Sequence, residues 1–296
     1  MWRSRFTVAA AIALLAMGLR AGADDPAFVF TSIDVPGAIQ TVAFGINARG
    51  EVVGFHRDAS NRQHGFLLGR GGFRSVDFPG AILTDARGIS PNGEVVGAYR
   101  NPGEPPVNGH GYRLSRAGDY VPVDYPGHTN TIAQRIGPDG TIFGCSHDQD
   151  TMDSMHGVMI RRSDLAEMDM GTSMHNGATP DRRTIVGLYT DMDTGRGRAY
   201  VLRDGEFIPF DAPGSRFTAG WDINPSGEAV GVYQDANSRF HGFVVDPLWN
   251  FTTLDFPGGV ATRAFGINAR GDVVGSYVDT SNRTHGFLAR RIAQDP

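Results

Sequence analysis

Short runs of alternating apolar and small or polar residues recur along the chain, separated by turn sequences. The run T-V-A-F-G-I-N at 41–47 is followed by V-V-G-F at 52–55, H-G-F-L at 64–67 and F-R-S-V-D at 73–77. Between them lie segments such as N-A-R-G, D-A-S-N-R and P-G, which favour turns with positive φ or a φ fixed by proline. Because no sustained 3.6-residue periodicity follows the N-terminal segment, these runs predict β-strands and an all-β fold.

The same order of four strands occurs six times, with a period of about 44 residues. A glycine closes the V-V-G run of each copy, at Gly54, Gly97, Gly144, Gly187, Gly231 and Gly275. Four strands in this length are typical of one propeller blade. The chain starts with an orphan fourth strand, F-V-F-T-S-I-D, and its last copy has only three strands. We therefore predict a six-bladed β-propeller closed by pairing the N-terminal strand with the last blade; an open solenoid is the competing architecture.

The motifs G-I-N-x-x-G-x-V-V-G and H-G-F, with (I/V/F/L)-D-x-P-G between them, resemble the HAF family of probable extracellular repeat proteins. The resemblance covers roughly residues 28–290. It implies an exported β-repeat protein and brings no catalytic residue with it. The copies depart from the pattern at the asparagine, where the second has Ser90, the third has Gly137 and the fourth lacks both this residue and the turn glycine.

The first 23 residues have the composition of a secretory signal peptide. Two arginines precede an apolar run over 6–19, and small residues follow at 21–23. This arrangement predicts cleavage before Asp24 and export of a single propeller domain, residues 24–296, to the periplasm or the extracellular space. The apolar run is short for a membrane span, no later stretch is long enough, and an uncleaved N-terminal anchor is the alternative interpretation.

Composition and charge narrow the classes of partner. With 40% apolar and 20% charged residues the chain has enough material for a core, which excludes an intrinsically disordered protein. There are 32 acidic and 27 basic residues, and three of the arginines precede Asp24, so the mature chain would carry a net charge of −8. That charge argues against nucleic acid or an anionic membrane surface as a partner. Cys145 is the single cysteine, so no internal disulfide forms.

A histidine opens the third strand and an aspartate follows the fourth, so antiparallel pairing places them side by side. The expected pairs are His64 with Asp77, His110 with Asp124, His156 with Asp169, Arg198 with Asp211, His241 with Asp255, and His285 with Asp34 across the closure. Because the pair is copied six times, we interpret it as structural; a ring of ligands is the alternative.

A second set of acidic or amide residues follows the second strand, and its side chains are expected to bond to the turn backbone. Its members are Asp58, Asn101, Asp148, Asp191, Asp235 and Asp279. A calcium site is the other interpretation, since Asp191-x-Asp193-x-Gly195 resembles the start of a carboxylate loop without its distal glutamate. A threonine also recurs thirteen residues before the V-V-G glycine, and Met174 occupies that spacing in the fourth copy.

The copies disagree most between Cys145 and Met192, where methionines and histidines concentrate. The soft or imidazole side chains that suit copper there are Cys145, His147, Met152, Met155, His156, Met170 and Met174. The competing interpretation is that methionine fills irregular core between two diverged blades.

The loops that enter the inner strands also vary, and their variable residues are expected at the mouth of the channel. These are Gln40, Asp85, Asn130, His175, Arg216, Phe217 and Arg263. Their groups suit a small polar or anionic ligand, and a solvated rim is the alternative. Asp85, His175 and Arg263 would also supply the acid–base pair and anion clamp of a lyase or hydrolase.

The sequence therefore favours an exported binding or scaffold module, with a carbohydrate, a small metabolite or a protein held at the channel mouth, and it leans against an enzyme without deciding the question. A propeller lyase or hydrolase that uses the same mouth is the second hypothesis. A copper-binding protein that uses the methionine-rich third and fourth blades is the third. No nucleophile elbow, P-loop, H-E-x-x-H or dinucleotide-binding glycine motif is present in the sequence.

Overall fold

The computed structural model describes residues 28–106, 108–148, 155–161, 164–167 and 172–292, which form 24 strands and no helix. The strands make six four-stranded antiparallel sheets arranged as the blades of a β-propeller, so the predicted all-β class and six-bladed ring are confirmed. The described residues include no helix with the length and apolar character that a membrane crossing requires. The predicted signal peptide, 1–23, lies outside the described residues.

Each blade has an inner, a second, a third and an outer strand, and we number the blades 1 to 6 in the order of their inner strands. The inner strands are β2 (Gln40–Ile46), β6 (Leu83–Ile89), β10 (Asn130–Ile136), β14 (Ser173–Ala178), β18 (Phe217–Ile223) and β22 (Ala261–Ile267). The second strands are β3 (Val52–Arg57), β7 (Val95–Arg100), β11 (Ile142–His147), β15 (Thr184–Asp191), β19 (Ala229–Gln234) and β23 (Val273–Val278). The third strands are β4 (Gln63–Gly69), β8 (His110–Leu114), β12 (His156–Arg161), β16 (Arg196–Arg203), β20 (Phe240–Val245) and β24 (Thr284–Arg291). The outer strands are β5 (Gly72–Val76), β9 (Tyr120–Val123), β13 (Asp164–Glu167), β17 (Glu206–Phe210), β21 (Phe251–Leu254) and β1 (Phe28–Ile33).

Blade 6 is built from both ends of the described chain. Its outer strand, β1, pairs antiparallel with β24, in a register that runs from Phe28 opposite Arg291 to Ile33 opposite Gly286. This is the closure predicted from the orphan strand and the incomplete last copy. Because the pairing ties the first strand to the last blade, opening the ring requires breaking a whole strand ladder.

The core lies between adjacent blades rather than inside any one of them. One cluster joins Val53 and Leu67 of blade 1 to Ala86 and Val95 of blade 2, and similar clusters join other neighbouring blades. The aromatic residue of the H-G-F motif is fully buried in five blades, as Phe66, Tyr112, Tyr200, Phe243 and Phe287. The recurring motif thus supplies one large core side chain per blade in those five blades.

The glycine of the V-V-G run is required because the second strand passes tightly between its neighbours. A Cβ atom on Gly54 would lie 2.0 Å from the carbonyl oxygen of Val42 and 2.8 Å from the ring of Phe66. Real Cβ atoms do not approach other atoms so closely, so only glycine lets the buried aromatic ring lie against the strand. This close approach explains why the residue is present in all six copies.

Candidate functional site

Every inner strand contains a β-bulge at the same repeat position. Each bulge places one residue outside the regular pairing with the second strand, because two residues there oppose one. The bulged residues are Phe44, Arg87, Gln134, Asn176, Trp221 and Phe265. Since the inner strands surround the axis, the bulges bring backbone carbonyls of several blades close together, and those of Phe44, Arg87, Gln134 and Phe265 accept from a single side chain.

The bulged side chains meet across the axis and close the channel. The ring of Phe265 lies 5.0 Å from that of Phe44 and 4.9 Å from that of Trp221, measured between centroids. The guanidinium of Arg87 lies 4.9 Å from the centroid of the Phe44 ring and donates to Gln134 Oε1 at 3.2 Å. The plug is therefore aromatic on blades 5, 6 and 1 and polar on blades 2, 3 and 4. It separates an entry mouth, at the N-terminal ends of the inner strands, from an exit mouth at their C-terminal ends.

A buried ion pair lies next to this plug. Arg135 and Asp222 occupy the position directly after the bulge, where the other four blades have glycine, and Arg135 Nε lies 3.2 Å from Asp222 Oδ2. Each residue is only 8% exposed. The two terminal nitrogens of Arg135 donate to four backbone carbonyls, those of Phe44, Arg87, Gln134 and Phe265. One side chain thus satisfies four carbonyls in four blades, and all four belong to bulged residues.

The glycines beside this pair allow the inner strands to approach each other. A Cβ atom on Gly45 would lie 2.7 Å from the carbonyl oxygen of Arg87, and one on Gly177 would lie 2.6 Å from the Cα of Asp222. Burial raises the pKa of the Asp222 carboxyl. The charge of Arg135 and hydrogen bonds from the backbone N–H groups of Ile267 and Ile223 act in the opposite direction but do not cancel this rise. Each charge of the pair thus faces an opposite charge and accepts or donates further hydrogen bonds, as buried ion pairs require.

The exit mouth opens into a cavity of about 130 Å³. Arg135 and Asp222 form its floor, and none of the six bulged residues lines it. The wall of the cavity is formed by one residue from each blade, at the isoleucine position of the G-I-N motif. These residues are Ile46, Ile89, Ile136, Ala178, Ile223 and Ile267. Its rim is made by Ala48, Pro91, Pro138, Pro180, Pro225 and Ala269. Asn47, Asn224 and Asn268 also line the cavity, and their side-chain amides donate to the acids of their own turns. The exit mouth is therefore a mainly apolar funnel, which the sequence analysis did not predict.

Within the part of the chain that the structure describes, Arg263 at the entry mouth has no acidic partner. The guanidinium carbon of Arg263 lies 4.3 Å from the centroid of the Phe240 ring, and burial lowers its pKa. Among the described residues the half-buried guanidinium has no ion pair and no hydrogen bond from its side chain. The ring of Phe217 lies 6.5 Å from that of Phe240 in an edge-on arrangement, so the structure brings Arg263 and Phe217 together through a shared ring. Phe240, Phe55 and Trp221 pack on one apolar cluster beside them.

Two other predicted mouth residues are buried and already bonded. Asp85 is 4% exposed; its carboxylate accepts hydrogen bonds from Arg87 Nε and from the backbone N–H of Ala98. His175 is 5% exposed, its Nδ1 lies 2.6 Å from the Tyr200 hydroxyl, and burial lowers its pKa to about 4. His175 does not lie at the rim as expected, because it faces Gly157 of blade 3 and packs between two blades.

The remaining three predicted mouth residues differ in exposure. Gln40 is half-buried and opens β2, opposite Arg57. Asn130 is buried and its backbone bridges to Gly109. Arg216 is exposed, and its backbone carbonyl accepts a hydrogen bond from Arg196.

The register also corrects the assignment of Met174 to the threonine position. Gly187 pairs with His175, as Gly54 pairs with Ala43, so Ser173 rather than Met174 corresponds to the recurring threonine. The hairpin between β14 and β15 has one residue more than the corresponding hairpin of blade 1, since Ala178 pairs with Ile185 whereas Ile46 pairs with Val52. Counting thirteen residues back from Gly187 therefore misplaces the side chain by one. Ser173 accepts a hydrogen bond from the backbone N–H of Gly157.

The histidine–aspartate contacts form a ring of clamps on the outer part of the entry face. The shortest contacts are His64–Asp77 (3.1 Å), His110–Asp124 (3.1 Å), Arg198–Asp211 (2.9 Å), His241–Asp255 (2.9 Å) and His285–Asp34 (2.8 Å). Asp169 lies outside the described residues, and His156 Nδ1 lies 3.4 Å from Glu167 Oε1. In blades 1, 2, 4, 5 and 6 a second carboxylate faces the clamp from the turn after the second strand: Asp58, Glu104, Asp191, Asp235 and Asp279.

Four of the six residues predicted to bond to the turn backbone do so: Asp58, Asp191, Asp235 and Asp279. In the other two blades, Asp148 accepts from the backbone N–H of Thr129 in another loop, and Asn101 donates to Glu104. Asp58 Oδ1 accepts hydrogen bonds from the N–H groups of Ser60 and Arg62, both at 2.9 Å. Asp191 Oδ1 accepts from Asp193 and Thr194, and these bonds, the Thr194 bond first, lower its pKa. The candidate calcium-loop carboxylate therefore already has protein partners.

Among the described residues, no group of three or more His, Cys, Asp or Glu side chains could hold a metal ion. Cys145 is fully buried, and burial raises its pKa to about 12, so the thiol stays protonated at neutral pH. His147 is buried, and Met155 and Met174 are partly buried. Met152 and Met170 lie outside the described residues.

Comparison with known proteins defines the class of the fold. Neither a protein-family model nor a curated protein matches the sequence. TolB from Acinetobacter baumannii is similar in structure, with a TM-score of 0.55 at 13% identity. The match covers 84% of this chain and 63% of TolB, so this chain spans less than two thirds of the length of TolB. A gluconolactonase from Xanthomonas campestris has a TM-score of 0.56 at 13% identity, with 90% of each chain covered. The Aleuria aurantia lectin has a TM-score of 0.53 at 9% identity, covering 87% of this chain and 93% of that one. The chain is a β-propeller; at these identities the likeness shows the fold alone.

Proposed function

We propose that this protein is a binding module that holds a small anionic ligand at the entry mouth of the propeller. The observation that carries the proposal is the environment of Arg263, a half-buried guanidinium with no carboxylate partner among the described residues. Burying a cation without a counter-charge is unfavourable, and a bound carboxylate or phosphate would remove that cost. The planar guanidinium also matches a two-oxygen anion through paired hydrogen bonds.

The surroundings of Arg263 indicate what the rest of the ligand is like. Phe240 lies against the guanidinium, and Phe55 and Trp221 pack on the same apolar cluster. Aromatic faces bind apolar or ring-shaped groups, while the arginine binds the charge. A small molecule with a carboxylate on a ring, such as an acidic sugar, fits this combination better than a neutral sugar does.

The geometry favours binding over catalysis at this mouth. Asp85 is bonded to Arg87, and His175 is bonded to Tyr200 in a buried environment that lowers its pKa. A general acid or base must reach its substrate with a free proton donor or acceptor. Neither Asp85 nor His175 offers this to a ligand beside Arg263, so the lyase or hydrolase hypothesis has no acid–base pair in the predicted residues.

The N-terminal segment and the repeat support a cellular context for this role. We propose that the protein is exported through the signal peptide over residues 1–23 and works in the periplasm or outside the cell. We also propose that it belongs with the HAF repeat proteins, because the G-I-N, V-V-G and H-G-F motifs occupy corresponding strands in the blades.

Titration calorimetry with glucuronate and glucose tests the proposal, because these probes differ mainly in the carboxylate. We expect glucuronate to bind more tightly than glucose, and Arg263→Ala to weaken glucuronate binding at least about tenfold, or about 1.4 kcal/mol. Arg216→Ala is the matched control, since Arg216 is an exposed arginine on the same face, and it should leave the affinity unchanged. Equal binding of the two sugars, or equal effects of the two substitutions, would contradict the proposal.

A further inference from the structure

The exit mouth has the properties of a second binding site, independent of Arg263 and of the function proposed for the entry mouth. The plug of bulged side chains separates the two mouths. The exit cavity holds about 130 Å³, and five isoleucines and an alanine form its wall. Aliphatic cavities of roughly 150 Å³ are large enough for a benzene molecule. The volume therefore limits a guest to about one six-membered ring.

The cavity exists partly because one blade departs from the repeat. Five blades have isoleucine at the wall position, while blade 4 has Ala178. An alanine is smaller by three carbon atoms, so it leaves space on one side of an otherwise symmetrical ring. Four rim residues are prolines, which have no backbone N–H to donate to a ligand. The wall and much of the rim thus favour an apolar group.

The charges around the cavity are already neutralised within the protein. On the floor, Arg135 faces Asp222. Arginines of the surrounding turns form ion pairs with nearby carboxylates: Arg49 with Glu51, Arg270 with Asp272, and Arg182 with Asp139 of the neighbouring blade. A charged guest would find no unpaired counter-charge among these residues. The electrostatics therefore favour an uncharged guest.

The floor favours an aromatic ring over an aliphatic one. Four N–H groups of the Arg135 guanidinium are hydrogen-bonded to backbone carbonyls, and the fifth, on Nε, faces Asp222. These bonds lie in the plane of the group, so its flat face is what remains for contact with a guest. Guanidinium faces stack well on aromatic rings. We infer that the exit mouth binds an uncharged, single-ring aromatic group.

Fluorine NMR of the whole mature protein with fluorobenzene tests this inference directly. We expect fluorobenzene to bind and the anion 4-fluorobenzoate to be excluded from the exit mouth. Ala178→Ile fills the cavity and should weaken fluorobenzene binding at least tenfold. Arg263→Ala is the control variant, because it alters only the entry mouth and should leave fluorobenzene binding unchanged while it weakens glucuronate binding.

Methyl NMR on the unmodified sequence provides a second readout that does not depend on the folding of a variant. With isoleucine δ1 methyls labelled, fluorobenzene should shift the signals of the five wall isoleucines. Signals of Ile39 and Ile82, which are exposed on the opposite face, should stay in place. Shifts confined to Ile39 and Ile82, no shifts at all, or undiminished binding by a folded Ala178→Ile protein would overturn the inference.

Discussion

The outer rim of the entry face and the axis of the propeller follow opposite rules. At the rim, a basic side chain faces one carboxylate after the fourth strand and another after the second, in nearly the same way from blade to blade. At the axis, every blade repeats the backbone bulge, but the chemistry of the bulged side chain changes. It is aromatic in blades 5, 6 and 1 and polar in blades 2, 3 and 4. The rim repeats its chemistry, and the axis repeats only its backbone geometry.

The difference teaches where to look for specificity in a repeat protein. A contact copied around the ring stabilises every blade in the same manner, so it identifies structure rather than a unique site. A position that the fold directs towards the axis, but that the repeat does not fix chemically, can acquire a unique group. Arg135 and Asp222 are such groups, because they replace glycine at one and the same repeat position.

The largest expected effect is at the axis. Replacing Arg135 with Met should destabilise the protein by about 3–5 kcal/mol, because Asp222 is left buried without its partner. Chemical denaturation of the variant measures this loss. The double variant Arg135→Met, Asp222→Leu should lose less than the single variant, since no unpaired buried carboxylate remains; a single variant that loses under about 1 kcal/mol would show that the pair is unimportant.

A smaller effect is expected where the inner strands approach each other. Gly45→Ala should cost roughly 1–3 kcal/mol, because its Cβ would lie 2.7 Å from the Arg87 carbonyl and the strands must separate. Gly71→Ala is the matched control, since a Cβ there meets no atom within 4 Å. Thermal unfolding of the two variants should differ clearly, and equal midpoints would argue against close strand approach as the reason for this glycine.

The smallest effect is expected at a single rim clamp, that of His110. Burial opposes protonation of His110, but its bonds to Glu104 and Asp124 outweigh this and raise its pKa above 6.5. Burial also acts against ionisation of Glu104, yet Asn101 and His110 hold the pKa of Glu104 at about 2 instead of 4.5. The imidazolium form makes both clamp bonds, because each ring nitrogen then donates to a carboxylate.

These shifts define the pH range in which the His110 clamp contributes to stability. The histidine contribution is fully present below about pH 6.5 and is lost as the pH rises through the higher pKa of the folded state. The Glu104 contribution is present above pH 4.5 and is lost as the pH falls towards 2. His110→Gln should lower the free energy of unfolding at pH 5.5 by roughly 1 kcal/mol, and by less at pH 8.5. Chemical denaturation at pH 5.5 and at pH 8.5 measures this difference. An equal loss of unfolding free energy at the two pH values would contradict the prediction.

Much of the fold follows from the local pattern of the sequence. Alternating runs and turn residues place the strands, the spacing of glycines such as Gly54 and Gly275 gives the number of blades, and the orphan strand at Phe28 predicts the closure. These features depend on contacts between neighbouring strands, which repeat and are therefore visible in one sequence. The pairing of His64 with Asp77 was predictable for the same reason.

The candidate sites were only partly predictable. Arg263 and Phe217 were identified from their position in a variable loop. That Arg263 has no acidic partner among the described residues was not predictable, because it depends on which acids are nearby in space. His175 and Asp85 were expected at the mouth and are buried, since the register of the bulged strands decides which face each side chain takes. A signal for the ion pair was present in the sequence: opposite charges replace glycine at the same position of the third and fifth copies.

The sequence by itself determined the strands, the turns, the six blades, the closure and the recurring clamps, because each rests on residues close in the repeat or in adjacent strands. Only the tertiary structure decided that the six bulges converge on the axis. It also decided that Arg135 reaches carbonyls of four blades and that an apolar cavity lies beyond it. These features arise from side chains of blades distant in sequence meeting at one line, and no local pattern specifies such a meeting.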